Sequence, residues 1–495
     1  MTRSGPPMAY TDRIAELAGA RGGQVAVVLV DADGAERRLS WVDLLAGLER
    51  AAAELLRRGV RPGDLVAVVL PKCPEHFAFL MGAWRIGARP LTVNPAMPVP
   101  ERRRLLAVAR PRLVVSTGPG AGDVLVRPGA GWDAAPGDGA PLLPPPPLEA
   151  SFAIGTGGSS GVPKVILSPF PGAFVDTGDP PDAALTGRTA DMVQLVNGPL
   201  FHNSPCTLAY GGLLWGHTLV VMERFAAAPA LELIERHRVS FLPTVPTVMK
   251  RLLDSPELEA TDLGSVRALF HTGASCPPQV KQAWIDLLGP TRVFEAFGGS
   301  ELVGTTFVRG DEWLAHRGTV GRPVGADLRI LSDDGSELPP GTIGEIYMRR
   351  HDTGPGFRYA GDAAPRRVVD GFESLGDLGH VDAEGYLYVA DRRVDVIITG
   401  GENVYPAEVE NALLEHPGVR DAVVIGLPDP DWGSRVHAVL ELAGAPVPTV
   451  ELVAHCRTRL SAYKVPKGFE VVAALPRDEA GKVRRSAMAA ARREG

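Results

Sequence analysis

Five short segments carry side chains suited to chemistry on anions. The first is Thr156-Gly157-Gly158-Ser159-Ser160-Gly161-Val162-Pro163-Lys164. Its glycines let the backbone approach a ligand closely, and its hydroxyls and ammonium are donors, as a phosphate cradle requires. It is not a Walker A loop, because no Gly-Lys-Ser/Thr follows at the required spacing. A Gly/Ser-rich stretch alone is usually a flexible loop, so the flanking apolar segments and Pro163-Lys164 matter. The second, Phe297-Gly298-Gly299-Ser300-Glu301, follows an expected strand, where a carboxylate can hold a hard cation such as Mg2+ beside phosphates. The third pairs Asp377, able to accept two hydrogen bonds from a ribose diol, with Arg392, a donor to the same sugar or its phosphate. The fourth, Gly400-Gly401-Glu402-Asn403, is a turn feeding a helix, and the fifth sets Lys482 after Gly481 near the C-terminus. Taken singly, the last three are most simply turn residues or solvated charges.

The elements that must position these residues are legible as patterns. Ser40, with Asp43 three residues later, resembles a capping box for a helical repeat through Trp41, Leu44, Leu48 and Leu55 that Gly59 stops. The apolar run 65–70, closed by Pro71, predicts a strand covered on both faces. A helix over 75–86 and a strand over 90–93 continue a strand–helix–strand rhythm that implies parallel pairing. The Gly- and Pro-dense stretch 118–147 reads as a surface loop. Beyond it, strands are expected at 218–222, 239–242, 267–271 and 292–297, with helices at 229–237, 246–253 and 277–288 between them. From about Val394 a compact α+β tail follows. The expected fold class is α/β, with a large N-terminal domain of several parallel-sheet subdomains over 1–393 and a small α+β lid domain over 394–495.

Composition narrows the function classes. The 495 residues carry 51 Lys plus Arg against 58 Asp plus Glu, a formal charge of −7, which disfavours a nucleic-acid wrapper or a polybasic membrane binder. Four cysteines without CxxC spacing exclude a disulfide scaffold or a thiolate metal cluster. Neither a secretory signal nor an apolar run of roughly 18 residues is visible, so a cytoplasmic protein is expected, contacting neither nucleic acid nor membrane.

Taken together, in this order and at these separations, the five segments resemble the adenylate-forming superfamily of acyl- and aryl-CoA ligases, adenylation domains and beetle-type luciferases. The resemblance covers about 40–485. Within the superfamily, Ser374-Leu375-Gly376-Asp377-Leu378-Gly379 and His316-Arg317-Gly318-Thr319-Val320-Gly321 look most like fatty-acid- and bile-acid-CoA ligases. The resemblance implies ATP, Mg2+ and coenzyme A as reactants and cofactors, and a C-terminal domain that rotates between two half-reactions. It assigns Thr156, Ser159, Ser160 and Lys164 to the β- and γ-phosphates, and Gly273, Ala274 and Ser275 to the adenine. Phe297, in a position usually held by tyrosine, stacks on the base, with Gly298 beside it. Ser300 is the phosphate-binding hydroxyl and Glu301 the metal ligand. Asp377 and Arg392 hold the ribose. Lys482 bridges the attacking carboxylate and the α-phosphate, while Gly400 and Gly401 enter the site for the second step. Val394 stands at the hinge, where the family commonly has Asp or Lys.

The stretch Phe201-His202-Asn203-Ser204 lacks the aspartate that amino-acid-activating relatives use for a substrate ammonium. A neutral apolar carboxylic acid is therefore expected, with His202, Asn203 and Gly299 in its pocket. Gly211, Gly212, Gly298, Gly299 and Gly304 suggest room for a bulky polycyclic or fatty acid. The thiol acceptor is expected to be coenzyme A, with a carrier-protein phosphopantetheine as the alternative, and a homodimer is left open. A silent nucleotide-binding homologue and a luciferase-like oxidase are the readings from other classes.

Overall fold

The computed structural model describes residues 6–118, 124–126, 152–157, 163–168, 172–178, 180, 182–351, 357–361, 367–478 and 481–492. The expected capping box forms: Ser40 Oγ accepts from the Asp43 N–H at 3.2 Å while the Asp43 carboxylate accepts from the Ser40 N–H at 2.8 Å. It starts the helix Trp41–Arg57, which buries Trp41, Leu44, Leu48 and Leu55 and packs along the helix Pro74–Arg85. Ordered donors at the first turn and an apolar stripe at 3.6-residue spacing are what make this segment helical.

Two largely parallel sheets follow from the strand–helix alternation. The nine-stranded sheet runs in the order Arg322–Val324, Thr305–Arg309, Val293–Gly298, Ala268–His271, Phe241–Thr244, Val193–Val196, Thr218–Met222, Val25–Val30 and Glu36–Ser40. Its six central strands are parallel, and antiparallel strands close both edges. A seven-stranded sheet contains Leu65–Val69, Arg89–Thr92 and Leu113–Ser116 in parallel, with the antiparallel hairpin Ala153–Gly157/Pro163–Leu167 on one side. Most of the stretch 118–147 lies outside the described residues; Val124–Leu125 within it is an edge strand of this sheet.

A third sheet departs from the all-parallel expectation. Its five strands, Ala326–Leu331, Gly344–Arg350, Arg367–Val369, Phe372–Val381 and Leu387–Arg392, pair antiparallel. Its strands mix buried and partly buried positions without a regular alternation, as in Gly344–Arg350, where four successive residues are buried. The small C-terminal domain matches the expected tail: helix Pro406–Leu414 with proline in its first turn, and strands Val419–Asp429, Gly433–Leu442 and Gly468–Val471 in one sheet. Among the described residues no helix is long and apolar enough to cross a membrane.

One buried ion pair fixes the strand that leads to Glu301. Lys281, fully buried on the helix Pro278–Leu288, reaches Glu295 Oε2 at 2.6 Å on Val293–Gly298. Lys281→Ala strands a buried carboxylate and is expected to destabilise the protein by about 3–5 kcal/mol. A urea midpoint close to that of the parent would contradict this.

Candidate active site

Four neighbouring parallel strands, Val193–Val196, Phe241–Thr244, Ala268–His271 and Val293–Gly298, end at one edge of the nine-stranded sheet. Thr244 lies opposite His271, which lies opposite Glu295, so the segments that follow emerge side by side. In open α/β sheets the carboxyl ends of the strands are where ligands bind. From these ends come His202 and Asn203 at the start of the helix Asn203–Trp215, and Thr247 in the first turn of Pro246–Leu253. Gly273-Ala274-Ser275 and Gly298-Gly299-Ser300-Glu301 come from the other two, with Gly273, Ser275 and Gly298 exposed. Leu302, directly after Glu301, has φ +57°, a left-handed conformation costing a non-glycine residue about 1–2 kcal/mol.

The other two sheets bring their charges to the same edge. Lys164, on Pro163–Leu167, holds its ammonium 4.9 Å from the centroid of the Tyr359 ring on the adjoining strand. The Tyr359 hydroxyl donates to Glu301 Oε1 at 2.9 Å, and among the described residues no hydrogen bond engages the second carboxylate oxygen of Glu301. Asp377 and Arg392 face each other across antiparallel strands, with Arg392 Nε 3.3 Å from Asp377 Oδ1. Burial pushes the Asp377 carboxyl up, Arg392 opposes the shift, and Glu301 and Asp391 add to it.

The tail loop completes the cluster. The Lys482 N–H donates to Asp478 Oδ1 at 2.8 Å, and the Asp478 N–H donates to the Lys482 carbonyl at 2.8 Å. Gly481, with φ +76°, sits against the Thr247 side chain. Lys482 is exposed to water, although protein crowds it from several sides. That crowding holds its ammonium below the ordinary lysine value; Arg392 adds to the depression, while Asp478, Glu301 and Asp377 pull the other way. His202 is likewise lowered by burial and feels both Asp478 and Lys482. Lys482, His202, Glu301, Asp377 and Arg392 therefore share one electrostatic site, although they span 202 to 482 in sequence.

Other expected site residues lie elsewhere or outside the description. Ser159 and Ser160 are outside the described residues, and of Thr156 only the backbone, paired with Lys164, is described. The Gly400–Gly401 turn makes its hydrogen bonds inside the C-terminal domain: the Gly400 N–H donates to the Trp432 carbonyl at 2.9 Å, and Thr399 pairs with Glu402. Val394 is 69% exposed. Its neighbours are tied in opposite directions, Arg393 to Glu345 and Asp333 at 3.0 and 2.6 Å, and Asp395 to Arg485 at 3.4 Å.

Contrary to expectation, Gly212 and Gly304 do not open space for a wide ligand. A methyl group at Gly212 would overlap the Gln194 side chain, and one at Gly304 would stand 2.6 Å from Met348 Sδ. One at Gly298 would meet the Gly304 carbonyl at 3.0 Å, and of these glycines Gly211 does face open space. The side chains of Gln194 and Met348 fill the space beside Gly212 and Gly304, so these two glycines do not make room for substrate. A narrow hollow of about 20 Å3, lined by Asn197, Ser204, Leu208, Val245 and Val248 among others, lies at the strand ends and has no charged side chain in its walls.

Sequence reasoning missed Tyr359, Thr247 and Asp478. Asp478 had a readable signal, an Asp-x-x-Gly turn directly before Lys482. Tyr359 and Thr247 had none, because their partners Lys164, Glu301 and Gly481 lie far from them in sequence.

Residues 15–357 match the model of the AMP-binding enzyme family, and residues 408–482 match the AMP-binding enzyme C-terminal domain. Feruloyl-CoA synthase of Amycolatopsis is 33% identical over 90% of this chain and 92% of its own length. Sulfoacetate–CoA ligase of Cupriavidus necator is 32% identical over 86% of this chain and 87% of its own. The structure of o-succinylbenzoate CoA synthetase from Bacillus subtilis, in complex with an acyl-adenylate, superposes with a TM-score of 0.79 at 25% identity, covering 98% of each chain. By these matches the chain belongs to the AMP-binding enzyme family, within the adenylate-forming superfamily, on its acid–thiol ligase (acyl-CoA synthetase, AMP-forming) branch.

Proposed function

We propose that the protein joins a neutral apolar carboxylic acid to coenzyme A in two steps at this site. The observation that carries the reading is the meeting of Lys164, Tyr359 and Glu301 from two sheets, with Asp377 paired to Arg392 at 3.3 Å and Gly481, beside Lys482, seated against Thr247. In the first step a carboxylate oxygen bonds to the α-phosphorus of ATP, and the bond to pyrophosphate breaks. In the second, the thiol sulfur of coenzyme A bonds to the acyl carbon, AMP leaves, and the thiol proton passes to solvent.

Each side chain then has a physical task. Lys482 lies between two anions that repel each other and stabilises the charge that develops as they join. Lys164, with the Thr156, Ser159 and Ser160 segment, takes the β- and γ-phosphates. Gly273, Ala274, Ser275, Phe297 and Gly298 frame the base, and Ser300 donates to phosphate. Asp377 accepts from the ribose diol while Arg392 orients it. Among the described residues no group of three acidic, His or Cys side chains could form a metal cage. One free oxygen of Glu301 fits the mode in which Mg2+ is held by a single carboxylate plus substrate phosphates. When bound, the ion neutralises phosphate charge.

The domain division at Val394, between Arg393 anchored on one side and Asp395 on the other, supports a pivot there for the second step. It would carry Gly400 and Gly401 to the acyl-adenylate. Beside that turn, Trp432 is half exposed, and Lys467 Nζ lies 3.6 Å from its ring centroid. A flat ring beside a cation suits the adenine and phosphates of free coenzyme A rather than a carrier protein's pantetheine alone. Trp432→Ala is expected to raise KM for coenzyme A roughly tenfold, the loss of about one base stack, and to leave KM for ATP and acid unchanged. An unchanged KM for coenzyme A would favour the carrier-protein reading. The stretch Phe201-His202-Asn203-Ser204, which carries no acidic side chain, supports a neutral acid, and the four free cysteines fit a reducing cytoplasm.

The deciding experiment is pyrophosphate release with a panel of aryl, short aliphatic, fatty, polycyclic and amino acids, with and without coenzyme A or a phosphopantetheinylated carrier. Release that depends on a neutral acid and yields an acyl-CoA is expected. Release with amino acids alone, or none with any acid, would overturn the proposal.

A further inference from the structure

Two adjacent arginines follow Lys482, and the structure gives them opposite commitments. Arg485 turns inward, pairing with Glu410 at 2.9 Å and Asp395 at 3.4 Å, so its partners lie in the C-terminal half and at its root. Arg484 reaches across the domain boundary, and its Nη2 lies 2.9 Å from Oε1 of Glu101, 383 positions away in sequence. Glu101 sits in the first turn of the helix Val99–Ala109. That helix packs against the strand Pro163–Leu167, which carries Lys164, and its Leu105 fills the space beside Gly155 on the partner strand. The ion pair thus ties the loop of Lys482 to the helix beneath the hairpin of Lys164.

We propose that Arg484 and Glu101 form a latch that holds the C-terminal domain in the pose of the first half-reaction, making both positioning residues for that step. This rests on the two-step reading above. Lys482 must project into the cleft for the first step, and the latch lies two residues beyond it. On rotation about Val394 the Arg485 pairs travel with the C-terminal domain, whereas the Arg484–Glu101 pair has to break. Thr247 against Gly481, and the Gln279 amide donating to the Leu414 carbonyl at 3.2 Å, are two neutral contacts across the same boundary. Arg484 is 73% exposed in its side chain and Glu101 27%, so the pair is solvent-screened and weak. That suits a contact broken once in every catalytic cycle: it biases two poses without trapping either.

The test separates the half-reactions. Arg484→Glu replaces attraction by repulsion and is expected to slow acid-dependent pyrophosphate exchange about three- to tenfold, given the small energy of exposed pairs. Thioester formation from supplied acyl-adenylate should stay equal or become faster. The charge swap Glu101→Arg with Arg484→Glu should restore exchange, and added salt should slow the parent more than Arg484→Glu. Equal loss in both half-reactions, no loss, or no rescue by the swap would overturn the latch. A distance between spin labels, one on each domain, reads the latch without any turnover. It should lengthen in Arg484→Glu and recover in the swap, and an unchanged distance would overturn the proposal. A parent enzyme that releases no pyrophosphate with any acid would instead fail the two-step reading.

Discussion

Replacing Lys482 by alanine lowers the acid-dependent first half-reaction by about 10²–10³-fold, while transfer from supplied acyl-adenylate to coenzyme A is expected to stay within a few-fold of the parent. The reason is electrostatic. The ammonium feels the charges of Arg392, Glu301 and Asp377, and a fixed positive charge there acts on the developing transition state at little reorganisation cost. The second step joins a thiol to a mixed anhydride and has no pair of repelling anions to reconcile. An equal loss in both half-reactions would remove Lys482 from this role.

The same environment sets a pH dependence. Crowding by protein, with Arg392, lowers the Lys482 ammonium below its ordinary value of 10.5. The charged form is the one required, so first-step activity falls as pH rises through this depressed pKa, and the alkaline limb lies below the ordinary lysine position. Arg392, Asp478, Glu301, Asp377 and His202 all face this group; Asp478, Glu301 and Asp377 raise it. Asp478→Asn removes one raising charge, so its limb should move to still lower pH. A limb that moves upward, or does not move, would show that another group titrates. The readout is pyrophosphate exchange against pH for the parent and the variant.

Gly481→Ala has the second large expected effect, and its origin is steric. With φ +76°, Gly481 holds a backbone conformation that costs an alanine about 1–2 kcal/mol. The added methyl group would overlap Thr247 Oγ1 and stand 2.9 Å from Thr247 Cβ. Thr247 is held in the first turn of the helix Pro246–Leu253, so its backbone cannot retreat and the tail loop must back away. A displacement of roughly 1 Å at the neighbouring Lys482 is worth about 10²-fold in a reaction that depends on near-attack geometry. First-step turnover should therefore fall by about that factor, with the melting temperature and second-step rate close to parent. Thr247→Gly in the Gly481→Ala background removes the overlap and should recover part of the loss. No recovery would mean that the left-handed backbone alone carries the effect, and parental exchange rates in Gly481→Ala would dismiss the contact altogether.

Much of the architecture was legible without coordinates. The Ser40–Asp43 box, the buried strand at 65–69, the helices 246–253 and 278–288 and the proline-started helix at 406 all follow from interactions within a few residues, where pattern and conformation are coupled directly. The antiparallel third sheet was not read, because its strands mix buried and partly buried positions without a clear alternation. Two of the glycines expected to widen the pocket, Gly212 and Gly304, were misread for a related reason. A missing side chain can open a cavity or let two backbones touch, and Gly212 and Gly304 are filled by Gln194 and Met348, which arrive from other strands.

The candidate site divides along the same line. The residue types suited to the chemistry, among them Lys164, Glu301, Asp377, Arg392 and Lys482, could be named from local motifs, since glycine-framed turns and isolated charges are properties of short segments. Their meeting could not be read, nor could the roles of Tyr359 between Lys164 and Glu301, of Thr247 beneath Gly481, or of Glu101 opposite Arg484. The amino-acid order specified which groups exist and the local turns that present them. Only packing three sheets and a C-terminal domain against one another decided which groups stand within a few ångströms, because contacts between residues hundreds of positions apart leave no trace in short-range pattern.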